Sequence, residues 1–264
     1  MPADGGGPLD APYPIPGWVR AGGACQNTSM TTSEKPSTSA AEQPSASAWD
    51  PVVLWSRPEG ERQGTALLVM FHGHLANEED LMGLVDHLPS NLTVASVRAP
   101  HAQGPGFTWF PLTQDTGYSV KLVTDSVAQV ATWLDSVKAG HSSVSLLGFS
   151  MGMAVATTLL RHRPRDFTSV VGLSGFAVPA DGSEFFNDDD VAAHPVPLFW
   201  GRDQEDPVIT GDRIEFTHRW AVAHTSLTKV LYAGIGHSIS VRELAHVKEF
   251  LELTVFGIEP QPSR

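Results

Sequence analysis

From Trp49 onward, short runs of β-branched and aliphatic residues alternate with longer stretches whose apolar residues recur at helical spacing. That alternation restricts the chain to an α/β fold, with repeated βα units around a mostly parallel central sheet flanked by helices. Strands are predicted at Val52–Trp55, Thr65–Phe71, Thr93–Val97, Val144–Phe149, Ser169–Leu173, Pro197–Gly201 and Lys229–Tyr232. Several, such as Thr65–Phe71, are apolar at successive positions, as strands buried on both faces must be. Helices are predicted at Glu78–Leu88, Val120–Val137, Met151–His162, Arg213–His224 and Val241–Leu253. The first has Asn77 as its N-cap, a stripe of Leu81, Leu84, Val85 and Leu88, and Pro89 as its stop. Residues Ala177–Pro195 read as a short insertion or cap over the C-terminal edge of the sheet, ahead of the strand Pro197–Gly201.

The composition of residues 1–48 is different: Gly, Pro, Ser, Thr and Ala dominate, and such a segment buries too little apolar area to offset the entropy of ordering. The expected organisation is a disordered tail over 1–48, one catalytic domain over 49–257 and a C-terminal tail over 258–264. Met30 is an alternative start. Cys25, the single cysteine, falls in the tail, which excludes an intrachain disulfide and a cysteine-based metal site. A formal charge of −12 disfavours nucleic acid as a partner. No run of about 18 apolar residues is present and the N-terminus lacks the basic start and apolar stretch of a secretion signal, so a soluble, cytoplasmic protein without a membrane span is expected. Arg20–Cys25 resembles a lipidation site only by coincidence, and Asn91-Leu92-Thr93 reads as a turn before a strand.

Gly148-Phe149-Ser150-Met151-Gly152 fits G-x-S-x-G and lies between a predicted strand and a predicted helix, the context in which α/β-hydrolases carry a nucleophilic serine. A serine hydroxyl is a poor nucleophile near neutral pH; it needs a base, and the base needs an acid to hold its tautomer. In this fold both partners follow later strands. His237, in the loop Ala233–Ser240 after the last predicted strand, is the candidate base. Among the carboxylates after Pro197–Gly201, Asp206 is the candidate acid, since Pro207 stiffens its loop; Asp203 is the runner-up and Glu205 the third choice. Ser174, which lacks the second glycine, reads as structural. The oxyanion donors expected from chain order are the backbone amides of Met151 and His74. His72 and His74, two apart, lack an evident third ligand for a metal, and Asp188–Asp190 reads as a solvated acidic loop rather than a cation site.

Five stretches together resemble the phospholipase/carboxylesterase family of α/β-hydrolases. They are His72-Gly73 with Asn77–Leu81, Val97–Pro100 with Trp109-Phe110, Gly148–Gly152, Asp206-Pro207-Val208, and Gly236-His237-Ser238. The resemblance spans about residues 50–255 and implies hydrolysis of esters or thioesters through an acyl-serine intermediate, with no metal or organic cofactor. A carboxylesterase acting on small to medium esters is expected. The alternatives are an acyl-protein thioesterase or lysophospholipase, and a catalytically silent binding module. A small-molecule ester is the expected partner, with a homodimer left open. Family members usually have glycine where Leu75 stands and often glutamine where Met151 stands, and the acid loop here is about two residues longer. Leu75, Trp109, Phe110 and Phe176, with Phe107, are candidates to line an acyl groove; core packing is the alternative for each aromatic ring.

Overall fold

A computed structural model describes residues 49–112 and 117–258. The expected tail at 1–48, with Cys25, and all but Ile258 of the C-terminal tail lie outside the described residues. In chain order the strands are β1 (Val53–Trp55), β2 (Ala66–Phe71), β3 (Leu92–Val97), β4 (His101–Gln103), β5 (Gly106–Thr108), β6 (Ser143–Phe149), β7 (Ser169–Leu173), β8 (Pro197–Asp203) and β9 (Ser226–Tyr232). The α-helices are α1 (Val120–Val137), α2 (Met151–His162), α3 (Asp188–Ala193), α4 (Gly211–His224) and α5 (Val241–Phe256). Seven strands form one sheet in the order β1-β3-β2-β6-β7-β8-β9, parallel except for the antiparallel edge pair β1/β3. This is an α/β-hydrolase fold.

The sheet is apolar on both faces because its strands alternate between two cores. Leu67, Val69 and Phe71 of β2 pack with residues of α1, α2 and α4; Leu68 and Met70 pack on the other face with Leu244, Val247 and Leu251 of α5. The chain leaves β2 for β3 on one side and later returns to place β6 on β2's other side. The crevice at the carboxyl ends of β2 and β6 is therefore the topological switch point, where open α/β sheets hold ligands.

Three expectations change. Residues 82–87 form a 3-10 helix in place of an α-helix over Glu78–Leu88. Its i→i+3 bonds, Met82 N to Glu79 O and Leu84 N to Leu81 O, put Leu81 and Leu84 one above the other into the core. Asn77 is not its cap: Leu81 is the N-cap residue, and Asn77 Oδ1 instead accepts from Glu79 N at 2.9 Å in the turn ahead of the helix. Ala177–Pro195 lies within the crossover that joins the parallel neighbours β7 and β8, and its helix α3 packs on α2 and α4. Within it, Asp188 is no solvated loop charge. It pairs both oxygens with the guanidinium of Arg161 at 2.6 and 2.7 Å, and Trp220 Nε1 donates to it at 3.0 Å. Arg161 is 1% exposed, so losing its partner would leave a bare buried charge; the pair ties α3 to α2 and α4. Asp190 pairs with Arg165 at 2.8 Å. Among the described residues, no helix is long and apolar enough to cross a membrane.

Helix α5 follows the loop that carries His237 and is anchored by a capping box. Glu243 N donates to Ser240 Oγ at 3.1 Å, and Ser240 N donates to Glu243 Oε2 at 3.4 Å. Glu243 Oε1 is buried without a partner among the described residues. Burial pushes the Glu243 carboxyl up to about 8, against the lowering effect of its bond to Ser240. Both folded and unfolded chains hold this proton in acid; as pH rises, the unfolded chain releases it first, so stability falls until about pH 8 and then levels. Glu243→Gln is expected to gain about 1–2 kcal/mol on wild type between about pH 5 and about pH 8.5. Urea unfolding at the two pH values measures it, and a pH-independent difference would contradict the assignment.

Candidate active site

Ser150 joins β6 to α2 in a single residue. Its φ of 54° and ψ of −117° lie where L-residues are rarely found, at a strain of about 1–3 kcal/mol. The turn is held by Ser150 N donating to Leu173 O at 2.9 Å and Met153 N donating to Ser150 O at 3.1 Å. Both motif glycines are required by backbone approach. A Cβ on Gly152 would lie 1.9 Å from Phe71 O, and one on Gly148 would lie 2.2 Å from Gly152 O.

The loops after β8 and β9 meet this turn. His237 Nε2 is 2.9 Å from Ser150 Oγ, and His237 Nδ1 is 2.9 Å from Asp206 Oδ2 and 3.1 Å from Oδ1. Asp206 Oδ1 also accepts from the amides of Val208 and Ile209 at 2.8 and 3.2 Å. Burial opposes ionisation of Asp206, but the bond from His237 and these two amides outweigh it and hold its pKa below the ordinary aspartate value. Asp203 and Glu205 do not bond His237. Strand β8 extends two residues beyond its predicted end, so Asp203 is its last residue, and its Oδ2 accepts from Gly236 N at 2.6 Å while Oδ1 accepts from Glu205 N at 2.7 Å. Ser174 likewise serves the histidine loop: its Oγ donates to Ser238 O at 3.0 Å. Sequence reasoning missed both loop ties; the adjacency of Asp203 to the acid loop and of Ser174 to a strand end were the available signals.

The amides of Met151, at the N-terminus of α2, and of His74, after β2, donate to no backbone acceptor outside their own elements among the described residues. The loop around His74 is braced by the hairpin β4–β5, which was not expected from the residues. Leu75 N donates to Phe107 O at 2.9 Å and Phe107 N donates to Ala76 O at 2.9 Å. Leu75 has φ 62° and is 39% exposed. His72 is buried; Ala99 N donates to its Nε2 at 3.1 Å and its Nδ1 is 2.7 Å from Gly73 O, so both ring nitrogens are engaged by backbone. Burial lowers its pKa to about 4, despite the bond to Gly73. Neutral His72 therefore donates from Nδ1 and supports the loop.

A model of the family described as phospholipase/carboxylesterase matches residues 58–255. The chain belongs to this family. Three solved structures share its fold. Carboxylesterase from Bacillus cereus is 16% identical with a TM-score of 0.63, covering 77% of this chain and 94% of that one. Carboxylesterase from Mesorhizobium loti is 18% identical with a TM-score of 0.60, covering 73% and 91%. Acyl-protein thioesterase 2 from Zea mays is 22% identical with a TM-score of 0.62, covering 77% and 99%.

In this family member burial decides against an acyl groove lined by Trp109 and Phe110. Trp109 and Phe110 have no accessible surface. Trp109 packs edge-on against Phe71 with ring centres 5.2 Å apart, and its Nε1 donates to His72 O at 2.9 Å, so a satisfied polar tip and an apolar body keep it in the core. Phe176 is also buried, stacked on Tyr118 at 5.8 Å. Tyr118 lines a cavity of about 430 Å³ with Ala177, Pro179, Thr210, Arg213 and Phe216. That cavity adjoins the acid loop through Thr210, one residue beyond Ile209. The family's usual glycine at the Leu75 position fits the left-handed backbone found there, a conformation that leucine adopts at a cost.

The hairpin brace has no room for a side chain at Gly106, where a Cβ would lie 2.0 Å from Leu75 O. Gly106→Ala must displace either the hairpin or the His74 loop. Steady-state kinetics on a nitrophenyl ester are expected to show kcat/KM reduced about 10- to 100-fold; an unchanged value would mean the brace is irrelevant to the site.

Proposed function

We propose that this family member hydrolyses carboxylic esters of small to medium size, with Ser150 as nucleophile, His237 as general base and acid, and Asp206 as the residue that orients His237. The observation that carries the reading is His237 itself, one ring nitrogen 2.9 Å from Ser150 Oγ and the other 2.9 Å from Asp206 Oδ2. In the first step Ser150 Oγ bonds to the ester carbonyl carbon while its proton passes to His237 Nε2. Asp206 accepts the Nδ1–H and stabilises the imidazolium without taking the proton. The oxyanion is received by the amides of Met151 and His74; the former stands at a helix N-terminus, whose dipole favours negative charge. His237 then protonates the leaving alkoxide, the acyl-serine remains, and water activated by His237 releases the acid. These steps need no metal or organic cofactor.

The cavity of about 430 Å³ adjoins the acid loop at Thr210, but none of Ser150, Asp206 and His237 lines it, so it does not set the size of the substrate. A second reading, as an acyl-protein thioesterase or lysophospholipase, draws support from Leu75 and Val208, two large apolar side chains left 39% and 49% exposed on the loops that carry His74 and Asp206. Relative kcat/KM on short nitrophenyl esters, long-chain lysophospholipid and an acylated peptide separates the two. The first reading expects the short ester to be preferred.

Ser150→Ala should reduce kcat about 10⁴- to 10⁶-fold. Asp206→Asn should reduce it about 10³- to 10⁴-fold by favouring the wrong tautomer, and Asp203→Asn less. Steady-state turnover of one ester by all three variants checks the set. Wild-type turnover in Ser150→Ala would remove the mechanism, and a larger loss in Asp203→Asn than in Asp206→Asn would reassign the acid.

A further inference from the structure

Thr108 ends β5 and is 2% exposed. Its Oγ1 lies 3.1 Å from His74 Nδ1, 3.2 Å from Met151 Sδ and 2.9 Å from Phe110 O. A threonine hydroxyl has one proton to give and two lone pairs. Of the two acceptors in reach, a carbonyl binds that proton better than a thioether, so Thr108 donates to Phe110 O and accepts from His74 Nδ1–H, with Met151 Sδ packed against it. Burial lowers the His74 pKa, which favours the neutral ring.

His74 and Met151 come from opposite sides of the crevice, one from the loop after β2 and one from the start of α2. Thr108 touches the side chains of both. The backbone bonds between Phe107 and Leu75 or Ala76 hold the His74 loop to the hairpin but do not reach α2. We propose that Thr108 is a positioning residue for the oxyanion pocket, a buried hydroxyl that sets the spacing between the His74 and Met151 amides. The proposal deepens the serine-esterase reading and rests on it. Two donors aimed at one oxygen are effective only at matched positions, and the gain is realised in the transition state. Disturbing the spacing should therefore lower kcat while leaving KM nearly alone.

The test compares Thr108→Val, which keeps the shape and removes the hydroxyl, with Thr108→Ser, which keeps the hydroxyl. Each is assayed for kcat and KM on a nitrophenyl ester and for inhibition by an alkylboronic acid. Ser150 Oγ adds to boron as its proton passes to His237, leaving a tetrahedral boronate that mimics the intermediate. Thr108→Val is expected to lower kcat about tenfold, to weaken boronate inhibition by the same factor and to leave KM within about twofold. Thr108→Ser is expected to stay within about threefold of wild type in each. Unchanged kcat and boronate inhibition in Thr108→Val, or equal losses in Thr108→Ser, overturn the proposal. If the valine variant does not fold, His74→Ala keeps the amide and removes the ring that bonds Thr108; wild-type kcat there overturns it equally. Absence of both ester turnover and boronate binding in the unaltered protein overturns the esterase reading along with it, whereas turnover with unaffected variants overturns this inference alone.

Discussion

Between Phe149 and Met151 the chain turns from a buried strand into a buried helix within one residue, at φ 54° and ψ −117°. The turn is possible only because backbone occupies space that side chains would fill. Gly152 lies against Phe71 O and Gly148 against Gly152 O, so β2, β6 and α2 are locked at their ends by contacts without tolerance. The strain is held in place by two cores, one on each sheet face. Everything proposed for the site follows from this placement, since it brings Ser150 Oγ to the crevice at the carboxyl ends of β2 and β6.

Around that turn the loops restrain one another. Asp203 holds Gly236, Ser174 holds Ser238, and the capping box at Ser240, three residues after His237, fixes the start of α5. These bonds place His237 without using either of its ring nitrogens, which meet Ser150 and Asp206 instead. On the other side, the hairpin β4–β5 and neutral His72 hold the His74 loop. The proposed chemistry thus rests on few side chains, and their positions on a larger group of buried polar atoms hydrogen-bonded within the loops themselves.

Much of this was legible in the residues. Strands such as β2 and β6 are apolar on both faces, and runs of 6 and 7 residues suit a buried strand better than a buried helix. That Ser150, Asp206 and His237 would meet was legible because chain order in this fold restricts where each can stand. The hairpin was not, because β4 is exposed throughout and has no apolar alternation to betray it. Leu81, Leu84 and Leu88 fit α and 3-10 spacing almost equally, so the tighter helix at 82–87 was hidden. Trp109 and Phe110 carry no mark in the sequence that distinguishes a groove wall from core; burial decides it. Asp188 looked solvated because Arg161, its partner, is 27 positions away.

The proposed chemistry depends on activation of Ser150 by His237. Treatment with a fluorophosphonate, followed by peptide mapping of the adduct by mass spectrometry, measures it directly. A single phosphonylated peptide carrying the label at Ser150 is expected, with the labelling rate reduced at least about 100-fold in His237→Ala. A label on another residue, or equal rates in the two proteins, would contradict it.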